Sequence, residues 1–299
     1  MAWGTPDMTA ASQTPAAPPR PAPPHAVPKR WPTSLVLGIA LLAPLLVVAV
    51  AGPWLAPYPY DEMNIMSRLQ PPGPDFWFGT DEYGRDVFSR TLVGTTNSLV
   101  MGVAATAISL LIGVPLGLVA GYGRGRTDEI IMRCMDVLMS FPPILLGILV
   151  LAVTPPALWK AVVAIGIVYV PQVVRLTRAI TLELMQEEFI TAARLRGEST
   201  AYILFHEILP NIWPPLAVES SLRVVFAILL GAALSFIGMG AQPPSSDWGL
   251  MISEARPFVE QAPWIALCPG IAMGITVIGI NLLGDGLRAV LDPRNTGGH

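Results

Sequence analysis

The chain has 299 residues, 53% hydrophobic and 13% charged, with a formal net charge of −3. Soluble domains carry about 25% charged residues, so the composition excludes an ordinary soluble globule and points to an integral membrane protein. The small net charge gives no case for nucleic acid. The two cysteines, Cys134 and Cys268, are too few for a disulfide scaffold or a Cys-rich metal site and read as buried thiols.

Residues 1–32 hold nine prolines and read as a disordered cytoplasmic tail. Lys29 and Arg30 precede Leu35–Trp54, an uncharged run of 20 residues. That is longer than the roughly 7–15 residues of a signal-peptide core, so an uncleaved first transmembrane helix is expected. A bilayer core about 30 Å thick needs roughly 20 apolar residues of helix. Further spans are expected at Ser98–Ala120, within the uncharged stretch Thr91–Gly123, and at Val137–Trp159, which has Phe141-Pro142-Pro143 near its start. Ala161–Val174 is short but is extended by interfacial Trp159 and Lys160. Asn211–Met239 and Ile265–Leu283 complete the set, with Trp248 and Trp264 expected at the outer interface. The fold class is therefore an all-α integral membrane protein with six transmembrane helices. Six crossings put both termini on one side. Twelve of the eighteen Lys and Arg fall on the tail's side, five on the other and Arg223 within a span, which orients the chain N-in and C-in.

Between the fourth and fifth spans lies "TAARLRGESTAYILFHEILPN", Thr191–Asn211. Glu188–Arg196 suits a short helix with Ala192, Ala193 and Leu195 as its apolar surface. Gly197 suits a left-handed C-cap, Ser199 an N-cap for a second helix Thr200–Ile208, and Pro210 a break before the fifth span. From the residues alone, this helix-turn-helix is either a docking element for a partner or an amphipathic loop on the lipid surface.

In the fifth span Glu219 and Arg223 stand four residues apart on one helix face. From a helix start at Asn211 they lie about 12 and 18 Å deep, where a lone charge costs at least ~2.5–3.5 kcal/mol. They either line a polar path or form an internal salt bridge to a partner subunit. In "FGTDEYGRDVFSR", Phe78–Arg90, Thr80 or Asp81 can cap a turn, Gly84 permits a sharp bend and Arg85 beside Asp86 can pair with neighbouring charges. This segment is either a structural knot at the outer mouth or a contact for a substrate-delivering protein. A P-loop is excluded, since Lys29 and Lys160 follow Pro28 and Trp159. No HExxH or GxSxG motif supports a membrane enzyme. A secondary transporter with internal repeats finds no repeat between the halves.

"TAARLRG…ILPN" resembles the EAA loop of ATP-binding-cassette (ABC) importer permeases, with Ala192, Ala193, Gly197, Leu209 and Pro210 in the matching positions. "FGTDEYGRDVFSR" resembles the signature of C-type dipeptide/oligopeptide permease subunits, matched by Gly79, Thr80, Asp81, Gly84, Arg85 and Asp86. The stretch Trp248–Arg294, with its Gly-Asp-Gly-Leu-Arg…Asp-Pro-Arg terminus, and the second and third spans resemble the same family, so that roughly residues 60–295 are covered. The resemblance implies a type I ABC importer permease fold. Its organisation would be a tail (1–32), a first transmembrane helix with an extracytoplasmic segment (33–97), a permease domain (98–290) with a cytoplasmic coupling loop (188–211), and a C-terminal tail (291–299). It implies a bacterial inner-membrane subunit that imports di- or oligopeptides, or on the same scaffold a nickel complex, glutathione or an opine. The implied partners are a B-type permease subunit, two ATP-binding subunits that use ATP and Mg, and an extracytoplasmic solute-binding protein, with no cofactor bound by this chain. Ala192, Ala193, Arg194, Gly197, Leu209 and Pro210 would couple to the ATPase. Departures at Thr191, where the motif has Glu, and at His206-Glu207 imply altered individual contacts with the ATPase. Gly231, where relatives carry Glu, implies an altered solute preference.

Overall fold

A computed structural model describes residues 31–123, 125–153 and 155–291. The expectations for the tail up to Arg30, for Arg124 and for the C-terminal tail with Asp292 and Arg294 lie outside the described residues. In chain order the helices are α1 (Thr33–Leu55), α2 (Val87–Gly123), α3 (Gly125–Met139), α4 (Pro143–Leu151), α5 (Leu158–Leu184), α6 (Glu188–Leu195), α7 (Thr200–Tyr202), α8 (Leu209–Phe236), α9 (Trp248–Ala255) and α10 (Trp264–Leu291). α7, a π turn at Ile203–Ile208 and α8 run together as one helix, Thr200–Phe236. Among the described residues, five helices are long and apolar enough to cross a membrane, or six if the bent pair α3 and α4 is one span.

Tight contact between α2 and α5 builds the centre. A Cβ at Gly113, Gly117 or Gly121 would fall 2.5–2.7 Å from Val173, Thr177 or Thr181. Only glycine lets the backbones approach this closely, and where lipid is as apolar as leucine such packing supplies the association. Met101, Ala105, Ile165, Val168 and Leu234 extend the core toward α8. Hydroxyls of Thr91, Thr95 and Thr106 donate to carbonyls one turn back, so they add no unsatisfied group to α2. At the start of α2, Asp86 Oδ2 accepts the Ser89 N–H at 2.8 Å and so caps the helix.

Three expectations about the spans are corrected. The third span is not one helix over Val137–Trp159: α3 and α4 meet at 91°. Phe141 and Pro142 both precede a proline and are pushed out of the helical region, while Pro143 opens α4, where no N–H is needed. The fourth span does not end at Val174, because α5 continues to Leu184. Its Arg175 and Arg178 pair with Asp136 and Asp128 of α3, each at 2.5 Å. Pro210 does not break the fifth span. The Leu209 N–H reaches the Leu204 carbonyl five residues back, and the widened turn relieves the proline ring's clash with the carbonyl four back. The Asn211 amide then donates to the Glu207 carbonyl at 2.7 Å.

At the end of the bundle where α1 finishes and α2 begins, residues 56–86 and α9 form a head. Trp248 is not an interfacial belt residue. It is fully buried and donates its indole N–H to the Thr91 carbonyl at 3.2 Å. Trp264 is half-buried and donates likewise to the Thr80 carbonyl at 3.1 Å. Cys268 is half-buried, and Cys134 is exposed rather than buried.

Candidate functional site: the loop between α5 and α8, the head and the mid-helix pair

The expected short helix forms as α6, and Arg196 is its C-cap. Gly197 has φ +79°, the left-handed region that favours glycine. Its N–H donates to the Arg194 carbonyl at 3.0 Å, and the Glu198 N–H to the Ala193 carbonyl at 3.2 Å. These two bonds make a Schellman ending. Ser199 Oγ then accepts the Tyr202 N–H at 3.2 Å, so both caps stand where the residues place them. Ile190 and Ala193 are buried and pack with Ile203, Ile208, Ile212 and Leu118, which roots the elbow in the ends of α2 and α8.

Ala192, Ala193 and Leu195 do not share a face. Ala193 points into the core and Ala192 outward, while Leu195 is 86% exposed at the tip. Phe205 is also exposed. Arg194 donates to the Met185 sulfur at 3.4 Å and lies 5.6 Å above the Tyr122 ring. Arg196 pairs with Glu207 at 3.1 Å, and His206 stacks on Tyr202 at 4.7 Å, so both departures from the family pattern at 206 and 207 are used within the elbow. Thr191 is exposed. Leu209 is half-buried in the same cluster, and Pro210 is exposed.

In the head the six signature residues come together. Gly79 and Gly84 take positive φ, and Thr80 bridges Asp86. Thr80 Oγ1 accepts the Gln70 N–H and donates to the Ser67 carbonyl. Asp81 Oδ1 accepts the N–H groups of Tyr83 and Arg85, each at 2.9 Å, while its Oδ2 takes Arg85 Nε at 2.6 Å and Arg90 Nη1 at 2.5 Å. Both guanidinium groups also reach Glu254 of α9, at 3.1 and 2.9 Å. Arg85 therefore pairs with Asp81 and Glu254 rather than with its neighbour Asp86. Burial pushes the Glu82 carboxyl above the usual carboxylate range.

Glu219 and Arg223 pair at 2.5 Å on α8. Arg223 also donates to Gln172 Oε1 at 3.0 Å and lies 5.6 Å from the Tyr169 ring, both on α5. Within this chain the pair is thus held against α5. Glu219 lines a cavity of about 580 Å³ with Pro210, Asn211, Leu176 and Arg288. Gly231 abuts the buried Met101 side chain, which fills the space a larger residue would need.

Residues 113–297 match the family described as the binding-protein-dependent transport system inner membrane component, and residues 34–72 match the N-terminal transmembrane domain of oligopeptide transport permease C. The chain belongs to this permease family. The permease is 42% identical to the dipeptide transport system permease protein DppC of Alkalihalophilus pseudofirmus, over 87% of this chain and 85% of that protein. It is 44% identical to the glutathione transport system permease protein GsiD of Pectobacterium atrosepticum, over 84% of each. It is 38% identical to the oligopeptide transport system permease protein OppC of Bacillus subtilis, over 87% of this chain and 85% of that protein. Its fold matches an inward-facing structure of the MetNI methionine ABC transporter with TM-score 0.57 and 19% identity, covering 66% of this chain and 94% of that one. This is the type I ABC importer permease fold.

Sequence reasoning missed Arg90 and Glu254, and it grouped Leu195 with the apolar surface of α6 rather than at its exposed tip. Glu254 lies 169 residues from Arg85, a pairing no local pattern encodes. The exposure of Leu195 could have been found, because Ile190 and Ala193 define the buried face of α6 and Leu195 falls opposite.

Asp247 of the permease was also missed. It caps α9 through the Leu250 N–H and accepts the Ser98 hydroxyl, both at 3.1 Å. Burial raises its carboxyl above the usual range against these hydrogen bonds. The folded state thus holds this proton more tightly than the unfolded state. The resulting stability is fully present below the unfolded pKa of about 4 and is lost as pH rises through the folded value. Asp247→Asn keeps the cap without the charge. Its melting temperature relative to the parent is expected to climb as pH is raised from about 4, whereas Asp247→Ala loses about 1 kcal/mol of capping.

Proposed function

We propose that this permease imports short peptides across the bacterial inner membrane, with both termini in the cytoplasm. It works with a B-type permease chain, two ATP-binding subunits that consume ATP and Mg, and an extracytoplasmic binding protein. The observation that carries this reading is the elbow. Its helix is stopped by a Schellman turn, rooted by buried Ile190 and Ala193 and tipped by exposed Leu195, a build suited to docking and to transmitting force. Because Thr200–Phe236 is one helix, movement of the elbow tilts α8 and carries Glu219 and Arg223 with it. Peptide as the solute is supported by relatives whose names specify dipeptide and oligopeptide transport. A glutathione transport relative of similar identity makes that tripeptide thiol the second reading. Coupling requires that nucleotide and binding protein each bind the inward- and outward-open states unequally.

The test is uptake into proteoliposomes holding the complete complex, with binding protein outside. ATP-dependent accumulation of labelled dipeptide is expected. Accumulation of glutathione alone would select the second reading, and uptake driven by an ion gradient without ATP would exclude both.

A further inference from the structure

The end of α1 and the start of α2 stand level. Gly52 lies against the Leu92 carbonyl, Thr96 donates to the Ala49 carbonyl at 2.6 Å, and the Tyr58 N–H donates to Ser89 Oγ at 3.2 Å. The apolar run of α1 stops at the exposed Trp54 and Leu55, which marks this level as a membrane–water boundary. There a cavity of about 210 Å³ opens between Tyr58, Trp77, Phe88, Asp75 and Asp86.

Its walls are fixed in advance. Trp77 and Phe88 sit 5.0 Å apart, and the Tyr58 hydroxyl donates to the Asp75 carbonyl at 3.1 Å. Asp86 is 3% exposed. Its Oδ2 is taken by the Ser89 N–H and hydroxyl, and its Oδ1 has no partner. The nearby Arg85 and Arg90 form their ion pairs with Asp81, Glu82 and Glu254 instead. A buried carboxylate oxygen without a partner, a second carboxylate and three aromatic rings together make a receptor for an organic ammonium group.

We propose that this pocket holds the ammonium of a zwitterionic lipid headgroup of the ethanolamine type. α1 has the least protein cover of the five long apolar helices, 22% of its apolar window. A pocket at its exit therefore lies at the edge of this chain, away from the packed α2–α5–α8 centre. The headgroup would hold the end of α1 to the head, with its acyl chains along α1. This inference is independent of which solute the permease carries.

The experiment is native mass spectrometry of the purified, delipidated full chain titrated with palmitoyl-oleoyl phosphatidylethanolamine or the corresponding phosphatidylglycerol. Tighter retention of the ethanolamine lipid is expected. Trp77→Ala and Asp75→Asn, both at exposed positions, should each reduce that preference roughly two- to fivefold, and Asp75→Asn should do so with no change in melting temperature. Asp86→Asn should abolish it while still capping α2. Equal retention of the two lipids, or a preference untouched by Trp77→Ala, would overturn the proposal. So would butylammonium binding with no lipid preference, which points to a soluble amine, or carbodiimide coupling of Asp75 to a lysine of a co-purified protein, which points to a protein contact.

Discussion

Asp81→Leu is expected to unfasten the head from the bundle. Asp81 is fully buried and receives both Arg85 and Arg90, which are themselves 1% exposed. Two guanidinium groups are shared among three carboxylates, Asp81, Glu82 and Glu254, and of these only Asp81 is fully buried. Asp81 is the nearest carboxylate to both guanidinium groups, at 2.6 and 2.5 Å, so its removal leaves two buried cations without their closest partner, a change that costs roughly 3–5 kcal/mol. The cluster ties residues 81–90 to α9, so the loss should spread through the buried Trp248 to the start of α2. The readouts are melting temperature in detergent and the monodisperse fraction on size exclusion. Glu254→Gln should do less harm, since Glu254 is partly exposed and glutamine still accepts from both arginines. If Asp81→Leu melts with the parent, the cluster does not hold the head.

Leu195→Asp is expected to abolish coupled transport without disturbing the fold. The side chain is 86% exposed, so its replacement leaves the hydrophobic contacts of Ile190 and Ala193 intact. In a docked complex a leucine contributes about 1.5–3 kcal/mol through burial, and an aspartate would bring a desolvation cost instead. ATPase affinity should therefore fall at least ~10-fold for each 1.4 kcal/mol lost, with peptide uptake falling in step. Gly197→Val is the companion variant. A Cβ there meets nothing within 4 Å, so space is available, but a β-branched residue at φ +79° is strained by roughly 1–2 kcal/mol. The turn should relax and misdirect Leu195, lowering ATPase stimulation while membrane insertion persists. Uptake unchanged in both variants would remove the elbow from the coupling path.

What could be read in the sequence was local. α1 follows from twenty uncharged residues, and the elbow's caps follow from Gly197 and Ser199, whose backbone and side-chain chemistry act within a few positions. What could not be read depended on distant partners. Arg175 and Arg178 end a hydropathy run yet sit inside α5, because carboxylates on α3 meet them. Trp248 looks like an interfacial anchor until the Thr91 carbonyl is seen to satisfy its indole in the interior. The signature from Gly79 to Asp86 was recognisable as a unit, but its purpose was hidden, because one carboxylate of the ion cluster arrives from Glu254 on α9. Pro210 misled because the π turn that tolerates it has no strong sequence mark.

The most direct measurement places a photo-activatable amino acid at position 195 in the assembled transporter in membranes. Adducts should form with an ATP-binding subunit, and nucleotide should change their yield as the motor opens and closes. Adducts with phospholipid alone, at every nucleotide state, would contradict the account.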